Sequence, residues 1–539
     1  MPETTGFWNK LIDSNIMFAT GLAALAALAP FAAADDRHGG PGGHHGNYDH
    51  GDYSHGGMTE WIDRPGSVIT DPWGFCPAAS WPVSDVGSSI EPQAPTSELK
   101  HMLNEVDADQ VERIITKLAG FGTRHTLSQQ NSSTFGIGAA RDWIYEEMQG
   151  YAEQGDGSME VYFDSYIQGV GSRIPFPVNI TNVVARINGS EDSNRTYVVT
   201  GHYDSRRLDV MDYTGDAPGA DDDASGVAVL MEMARVVAKM GKPKSTMMFV
   251  ATAGEEQGLY GATHLAETLK NASINVEGNW NVDTVGTGKN SPFDPINDYT
   301  VRVFGASIFY PNYTGNAALE RQYAVIGGWN DSPPQQLGRY IAEVAAGAVE
   351  WVGMQVKLMY RHDRFGRGGD HIGFLEQGYP AVRFTEAYED FAHQHQDVRE
   401  EDGIQYGDLI EFVDFDYTAR VAKVTLATMY SAANAPASPQ DVYISYDIGT
   451  TASDEDTIVE ALSNDSRLFW EVSDDPLVAS YELVYRTSGS LQWTHSLDIG
   501  MTGNVTVMLS KDNYQFGIRA VGEDGLKSPA VFPLPIDQL

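Results

Sequence analysis

The chain has 539 residues, which at about 150 per domain allows two to four domains. Its 42% hydrophobic and 11% aromatic content excludes a wholly disordered or fibrous polypeptide. Acidic side chains outnumber basic ones 74 to 35, and the net charge of −39 argues against nucleic acid and anionic membrane surfaces as general partners.

Ile16 to Ala34 forms one apolar stretch that ends in small residues before Asp35-Asp36. It reads as the hydrophobic part of a secretory signal peptide spanning 1–34. The segment before it sets Lys10 against Glu3 and Asp13, so a retained membrane anchor is the alternative. After cleavage no stable membrane insertion is expected, and the protein is expected to be secreted. Asn-x-Ser/Thr sequons at Asn131, Asn179, Asn188, Asn194, Asn271, Asn312, Asn464 and Asn504 agree with a glycoprotein on that route. Residues 35–57 are rich in Gly and His and cannot build a core, which makes them a linker. Their five histidines suit either weak metal capture or a plain spacer. Residues 58–96 read as an N-terminal extension or a propeptide. They include Cys76, the single cysteine, which rules out an intrachain disulfide and a cysteine-based zinc site. Any metal must then be held by His, Asp and Glu.

From Ser97 the pattern becomes globular. Glu98–Leu118 and Ile137–Met148 have helical periodicity. Thr196–Thr200 reads as a buried strand, Ser225–Met240 as a helix, Thr246–Thr252 as a strand and Leu259–Leu269 as a helix. Gln355–Tyr360 and Ala381–Phe384 read as further strands, and Asp414–Ala433 as a final helix. This alternation predicts an α/β domain over 97–435, with a mixed, mostly parallel sheet sandwiched by helices. At Pro436 the pattern changes to short alternating strands. Residues 436–539 are expected to form an all-β sandwich that resembles a fibronectin type III domain, with Trp470 in its core. Its partner cannot be read from fold.

Five motifs fall at element ends. They are Gly201-His202-Tyr203-Asp204-Ser205, Ala220-Asp221-Asp222-Asp223-Ala224-Ser225-Gly226, Gly254-Glu255-Glu256, Asn281-Val282-Asp283-Thr284-Val285-Gly286 and His393-Gln394-His395-Gln396-Asp397. In an open α/β sheet functional groups gather beyond the carboxyl ends of the strands, so one crevice can collect all five. Imidazole and carboxylate ligands suit zinc, and two adjacent ions need a bridging carboxylate. Each motif also has a bland reading. His202 alone fits a hydrogen-bonded strand end, the aspartate triplet fits a helix cap, and Glu255-Glu256 fits a solvated pair.

In this order the motifs resemble the co-catalytic zinc aminopeptidases, the superfamily that also holds glutamate carboxypeptidase and glutaminyl cyclase. The resemblance covers roughly 97–433 and implies the zinc exopeptidase fold and two zinc ions per chain. It implies His202 and Asp283 as ligands of one ion, Glu256 and His393 as ligands of the other, and Asp222 as the bridge. Glu255 would be the general base, and Asp204 would orient the His202 ring. Gly369-Asp370-His371 resembles the family's S-D-H stretch with Gly in place of Ser. The usual H-T-x-x-D stands here as His393 to Asp397, which leaves His395 as a rival ligand. The implied activity is hydrolysis of peptides and proteins at a free N-terminus. A carboxypeptidase could instead use Arg206, Arg207, Arg361, Arg364 or Arg367 to hold a terminal carboxylate. A single-zinc glutaminyl cyclase is a further alternative, and so is a non-catalytic binding protein on the same fold.

Overall fold

The computed structural model describes residues 86–539 except 241, 289–298, 309–316, 446–449, 453–457, 461–463 and 537–539. The leader, the linker, Cys76, residues 58–85 and Asn312 lie outside the described residues.

The centre of the α/β part is an eight-stranded sheet. In chain order its strands are β1 (Met159–Gln168), β2 (Val178–Ile187), β3 (Asp192–His202), β4 (Ser245–Thr252), β5 (Asn275–Val282), β6 (Thr300–Gly305), β7 (Gln355–Met359) and β8 (Ala381–Glu386). In space they run β1-β2-β4-β3-β5-β8-β6-β7. Four of the seven pairings are parallel, including the central run β4-β3-β5-β8, and three are antiparallel. The sheet is therefore mixed with a parallel centre, as the alternation of elements predicts.

The central strands are unbroken apolar runs because both of their faces are covered. The major helices are α1 (Ser97–Glu105), α2 (Ala108–Ala119), α3 (Gly136–Gln154), α4 (Ala224–Met240), α5 (Tyr260–Asn271), α6 (Pro333–Gly347) and α7 (Phe415–Asn434). Tyr197, Val199, Phe249 and Trp280 face a core built with α2, α3, α4, α6 and α7. Val198, Met248 and Val250 point the other way, onto α5 and the short helix His371–Glu376. Alternate residues of one strand thus feed two cores. Helix α4 is buried almost all round, between the sheet and α2, α3 and α7.

The span Glu98–Leu118, expected as one helix, is two. The chain breaks at Val106-Asp107, where the Asp107 side chain accepts from the Asp109 amide and caps α2. The Asp107 amide donates to the buried Glu232 carboxylate on α4, which fixes the break.

The loop after β8 carries a two-stranded hairpin, β9 (Arg399–Glu401) and β10 (Ile404–Tyr406). Among the described residues of 436–539 the regular elements are all strands. One sheet holds β12 (Ser466–Glu471) between β11 (Gln440–Ser445) and β15 (Asn504–Val507), with β17 (Leu534–Ile536) beyond β11. The other holds β13 (Ser480–Thr487) between β14 (His495–Gly500) and β16 (Tyr514–Val521). Trp470 packs edge-on to Tyr481, with ring centroids 5.5 Å apart, in the core between the sheets. The fourth strand of the second sheet comes from the other end of the chain. Ser88–Ser89 pairs antiparallel with β14. Ile90 donates to the Thr494 carbonyl at 3.0 Å, and the Tyr485 hydroxyl donates to the Val86 carbonyl at 2.6 Å. The described part of the N-terminal extension is thus built into the C-terminal sandwich.

The sandwich packs on the α/β part through buried charge. Asp331 sits between Arg339 at 3.1 Å and Arg486 at 2.6 Å, and all three side chains are almost fully buried. Both guanidinium groups lie over the ring of Trp493, whose Nε1 donates to Gln336. Among the described residues no helix is long and apolar enough to cross a membrane.

Candidate metal centre

Because β4, β3, β5 and β8 are parallel neighbours, their carboxyl ends share one edge of the sheet. His202 ends β3, Glu255 and Glu256 follow β4, Asp283 follows β5, and the loop after β8 carries His393 and His395. The triplet Asp221-Asp222-Asp223 opens α4 directly in front of them. Close packing brings that helix start onto the sheet. A Cβ on Gly226 would lie 2.1 Å from the Val282 carbonyl oxygen, and one on Gly201 would lie 2.9 Å from the Gly226 carbonyl carbon. Only glycine permits this approach.

Two groups of ligand-type atoms result, each with its atoms within 4.8 Å of one another: His202, Glu255 and Asp283, and Asp222, Glu256 and His395. Asp222 joins them. Its Oδ1 lies 3.1 Å from His202 Nε2, and its Oδ2 lies 2.8 Å from His395 Nε2. Asp283 Oδ2 is 3.7 Å from His202 Nε2, and Glu256 Oε1 is 3.1 Å from His395 Nε2. His202 Nε2 and Glu256 Oε1 are buried atoms without a hydrogen-bond partner of good geometry, as ligand atoms turned toward a cation would be. The residues present therefore fit zinc.

His395, not His393, reaches Asp222 and Glu256. His393 stacks on Phe412 at 3.6 Å between ring centroids, and its Nδ1 lies 3.4 Å from Asp390. The four-residue step to Asp397, which points to His393, does not describe this loop, and His395 stands in the place expected for His393. His395 has φ +57°, a left-handed backbone that turns its ring inward. Asp397 points away and pairs with Arg207 at 2.7 Å.

Asp204 does more than orient a ring. His202 Nδ1 lies 3.0 Å from the Asp204 backbone carbonyl and 3.7 Å from its carboxylate Oδ1. That carboxylate accepts the amides of Gly254, Glu255 and Glu256 and the Thr126 hydroxyl. It thereby fixes the loop that presents both glutamates. Asp223 is the helix cap, accepting from Gly226 at 2.8 Å, and it also accepts the amides of His202 and Thr284.

Four contributors act on partners far along the chain; Asp408 and Arg383 have no local sequence signal, whereas Gln394 and Arg206 lie within or beside the motifs but in roles their spacing does not give. Asp408 accepts the amides of Asp221 and Asp222, each at 2.8 Å. Arg383 donates to Asp283 Oδ1 at 2.6 Å, leaving Oδ2 turned toward His202. Gln394 donates to Asp222 Oδ2 at 2.9 Å. Arg206 donates to Glu256 Oε2 at 2.8 Å. Gly369, which stands where the family has Ser, is explained by Arg383: a Cβ at 369 would lie 2.3 Å from its Nη1. Asp370 accepts from the Thr252 hydroxyl at 2.5 Å, beneath the site.

The electrostatics separate these acids. Burial alone would raise every carboxyl here. At Asp222 burial is overcome by His395 and His202, which hold the group well below the usual range. Burial is likewise outweighed at Glu256 by His395 and Arg206, and at Asp283 by Arg383 and His202, leaving both at about 2. At Glu255 burial dominates and the carboxyl is pushed well above the usual range. Asp370 is raised by burial to about 7. Three carboxylates are thus kept ionised for a cation, while Glu255 and Asp370 beside them hold their protons more readily.

Residues 182–310 match Peptidase family M28. A probable zinc metalloprotease of Pyrenophora teres f. teres is 56% identical over 476 residues, 88% of this chain and 94% of its own. One of Pyrenophora tritici-repentis is 55% identical over 462 residues, 85% of this chain and 92% of its own. Similar solved structures include the LapA aminopeptidase of Legionella pneumophila (19% identity, TM-score 0.42, 63% of this chain and 76% of that one). A glutaminyl cyclase of Fimbriiglobus ruber is another (18% identity, TM-score 0.43, 63% and 98%). The donor set at the carboxyl edge of the sheet, the family match and the two Pyrenophora relatives define a zinc metallopeptidase. The chain belongs to peptidase family M28.

Proposed function

We propose that the chain is a two-zinc aminopeptidase that releases residues from the free N-terminus of peptides. The observation that carries this is the pairing of the arginines beside a complete double donor set. Four of the five arginines that could hold a terminal carboxylate, all but the exposed Arg361, are already engaged by carboxylates. Arg206 pairs with Glu256, Arg207 with Asp397, Arg364 with Asp363 and Glu389, Arg367 with Glu389, and Arg383 with Asp283. Paired in this way, these guanidinium groups are not free to hold the terminal carboxylate of a peptide. This weighs against the carboxypeptidase alternative. The completeness of both ligand groups weighs against a single-zinc cyclase.

In this reading His202 and Asp283 would hold one ion and Glu256 and His395 the other, with Asp222 available to both. Zinc supplies the polarisation of the scissile carbonyl and the acidification of a water. Glu255 takes a proton from the attacking water and returns it to the departing amine, and burial keeps its affinity for that proton high. The loop held by Asp204 keeps Glu255 and Glu256 at their stations. The test is amino-acid release from Leu-Gly-Gly and its N-acetylated form, with zinc and with a chelator. Release of Leu from the free peptide only, abolished by chelation, is expected. Release of C-terminal Gly from the blocked peptide would refute it. Glu255→Gln is expected to keep its zinc and lose about 10²- to 10⁴-fold in turnover.

The proposed compartment is extracellular. The apolar stretch at 16–34 supports it, as do exposed sequon asparagines at 131, 188, 194, 271, 464 and 504. Asn179 is half-buried and donates to the Thr181 hydroxyl. A mass unchanged by glycosidase treatment of the protein from its native source would count against that compartment.

A further inference from the structure

The groups of the site differ in their access to solvent. The side chains of His202, Asp222, Asp283 and Glu256 are nearly closed off, whereas His395 and Arg206 are each 19% exposed and Glu255 is half-buried. The mouth of the site therefore lies at these last three. On one flank runs the connection from β3 to α4. Just past Arg206, Arg207 and the Leu208 amide both donate to Asp397, at the end of the loop that carries His395. Further on, the Val210 carbonyl lies 3.0 Å from His125 Nε2 and 3.2 Å from Gln257 Nε2, which ties this connection to the turn bearing Glu256. Its apolar side chains nevertheless face outward: Leu208 is 59% exposed, and Met211 and Tyr213 are exposed too. Tyr213 meets the exposed Phe176 edge to face, with ring centroids 6.0 Å apart. Phe176 belongs to the β1–β2 connection, which Arg173 fastens to the Glu256 carbonyl at 2.9 Å. On the other flank Phe391, 63% exposed, lies against Arg367, and Arg367 donates to Gln394, the neighbour of His395.

We propose that this apolar rim receives the downstream part of the peptide substrate, so that the enzyme selects peptides whose third and fourth residues are apolar. The proposal rests on the aminopeptidase reading. There the terminal residue lies among the ligand atoms, and the rest of the peptide leaves past His395, Arg206 and Glu255. Leu208 is two residues from Arg206, at most about 7 Å of chain. An extended substrate advances about 3.3 Å per residue, so its third and fourth residues pass the rim. Single exposed apolar side chains are ordinary on a protein surface, but Leu208, Met211, Tyr213, Phe176 and Phe391 come from three segments to one opening. The backbone beneath them is fixed by Asp397, His125, Gln257 and Arg173, so the rim is formed before a peptide arrives and little ordering cost opposes binding.

The test compares initial rates of Leu release from Leu-Gly-Val-Phe-Gly and Leu-Gly-Ser-Ser-Gly by the zinc-loaded full-length chain, by Leu208→Ser and by Phe391→Ser. Both substituted side chains are exposed, so the core is left intact. The readout is the ratio of kcat/KM for the two peptides, which cancels any general loss of activity. Covering apolar side chains of this size corresponds to about tenfold or more in kcat/KM. A ratio of at least about tenfold in favour of the apolar peptide is expected for the wild type, falling about threefold or more in each variant. A wild-type ratio near one overturns the proposal and leaves the aminopeptidase reading standing. A high ratio that neither variant lowers does the same, because the selection would then be made away from the rim. No Leu release from either peptide by the wild type overturns both.

Discussion

Asp408 is a test of how the bridging carboxylate is held. Its two oxygens accept the amides of Asp221 and Asp222, each at 2.8 Å, and the residue is 6% exposed. Asp408→Asn preserves the shape but offers one acceptor where two are needed. One amide keeps its partner, and the other faces an NH2 group. A hydrogen bond to a charged group contributes about 1.5–3 kcal/mol, and an orphaned buried donor costs about 1–3 kcal/mol more. The expected loss is therefore about 3 kcal/mol or more. It divides between unfolding free energy and zinc binding, because Asp222 moves with its own amide. Urea unfolding of the chelator-stripped protein reads the first share, and competition with a chromophoric chelator reads the second. A combined loss below about 0.5 kcal/mol would refute the claim that Asp408 positions Asp222.

Two other substitutions probe separate parts of the structure. His395→Ala is expected to abolish binding of one zinc, and His393→Ala to leave both; the reverse result, read by metal analysis after dialysis, would reinstate the four-residue spacing to Asp397. Asp331→Ala strands two buried guanidinium groups at the junction with the sandwich, for which about 3–5 kcal/mol of destabilisation is expected in denaturant. A loss under about 1 kcal/mol would mean that the junction is not held by this triad.

The sequence exposes those parts of the molecule whose cause is local. Strands β3 and β4 read directly because burial on both faces demands an unbroken apolar run. Four of the five expected ligand positions, His202, Asp222, Glu256 and Asp283, come together because each lies within one or two residues of an element end. The fifth depends on the backbone of a long loop. Whether His393 or His395 turns inward is decided by a left-handed residue and by the Phe412 ring, neither of which a spacing rule contains. Asp408 lies 186 residues from the amide it holds, and Arg383 lies 100 from Asp283. The break in Glu98–Leu118 was written at Asp107, a capping residue, but the apolar periodicity continues across it.

The two-residue strand Ser88–Ser89 alters how the whole chain can be divided. Residues 86–93 are fastened to the sandwich by Val86, Ile90 and the Gln93 side chain, which accepts the Lys527 amide. The α/β part consequently leaves the sandwich and returns to it, as an insert closed at both ends rather than one bead on a string. Cutting after residue 435 to isolate the peptidase would leave an N-terminal segment with no sheet to join and would open the triad at Asp331. Starting instead at 97 would remove the edge strand that covers β14 and expose the backbone groups of its outer side. An expression fragment that respects this closure must begin before Val86 and continue through β17.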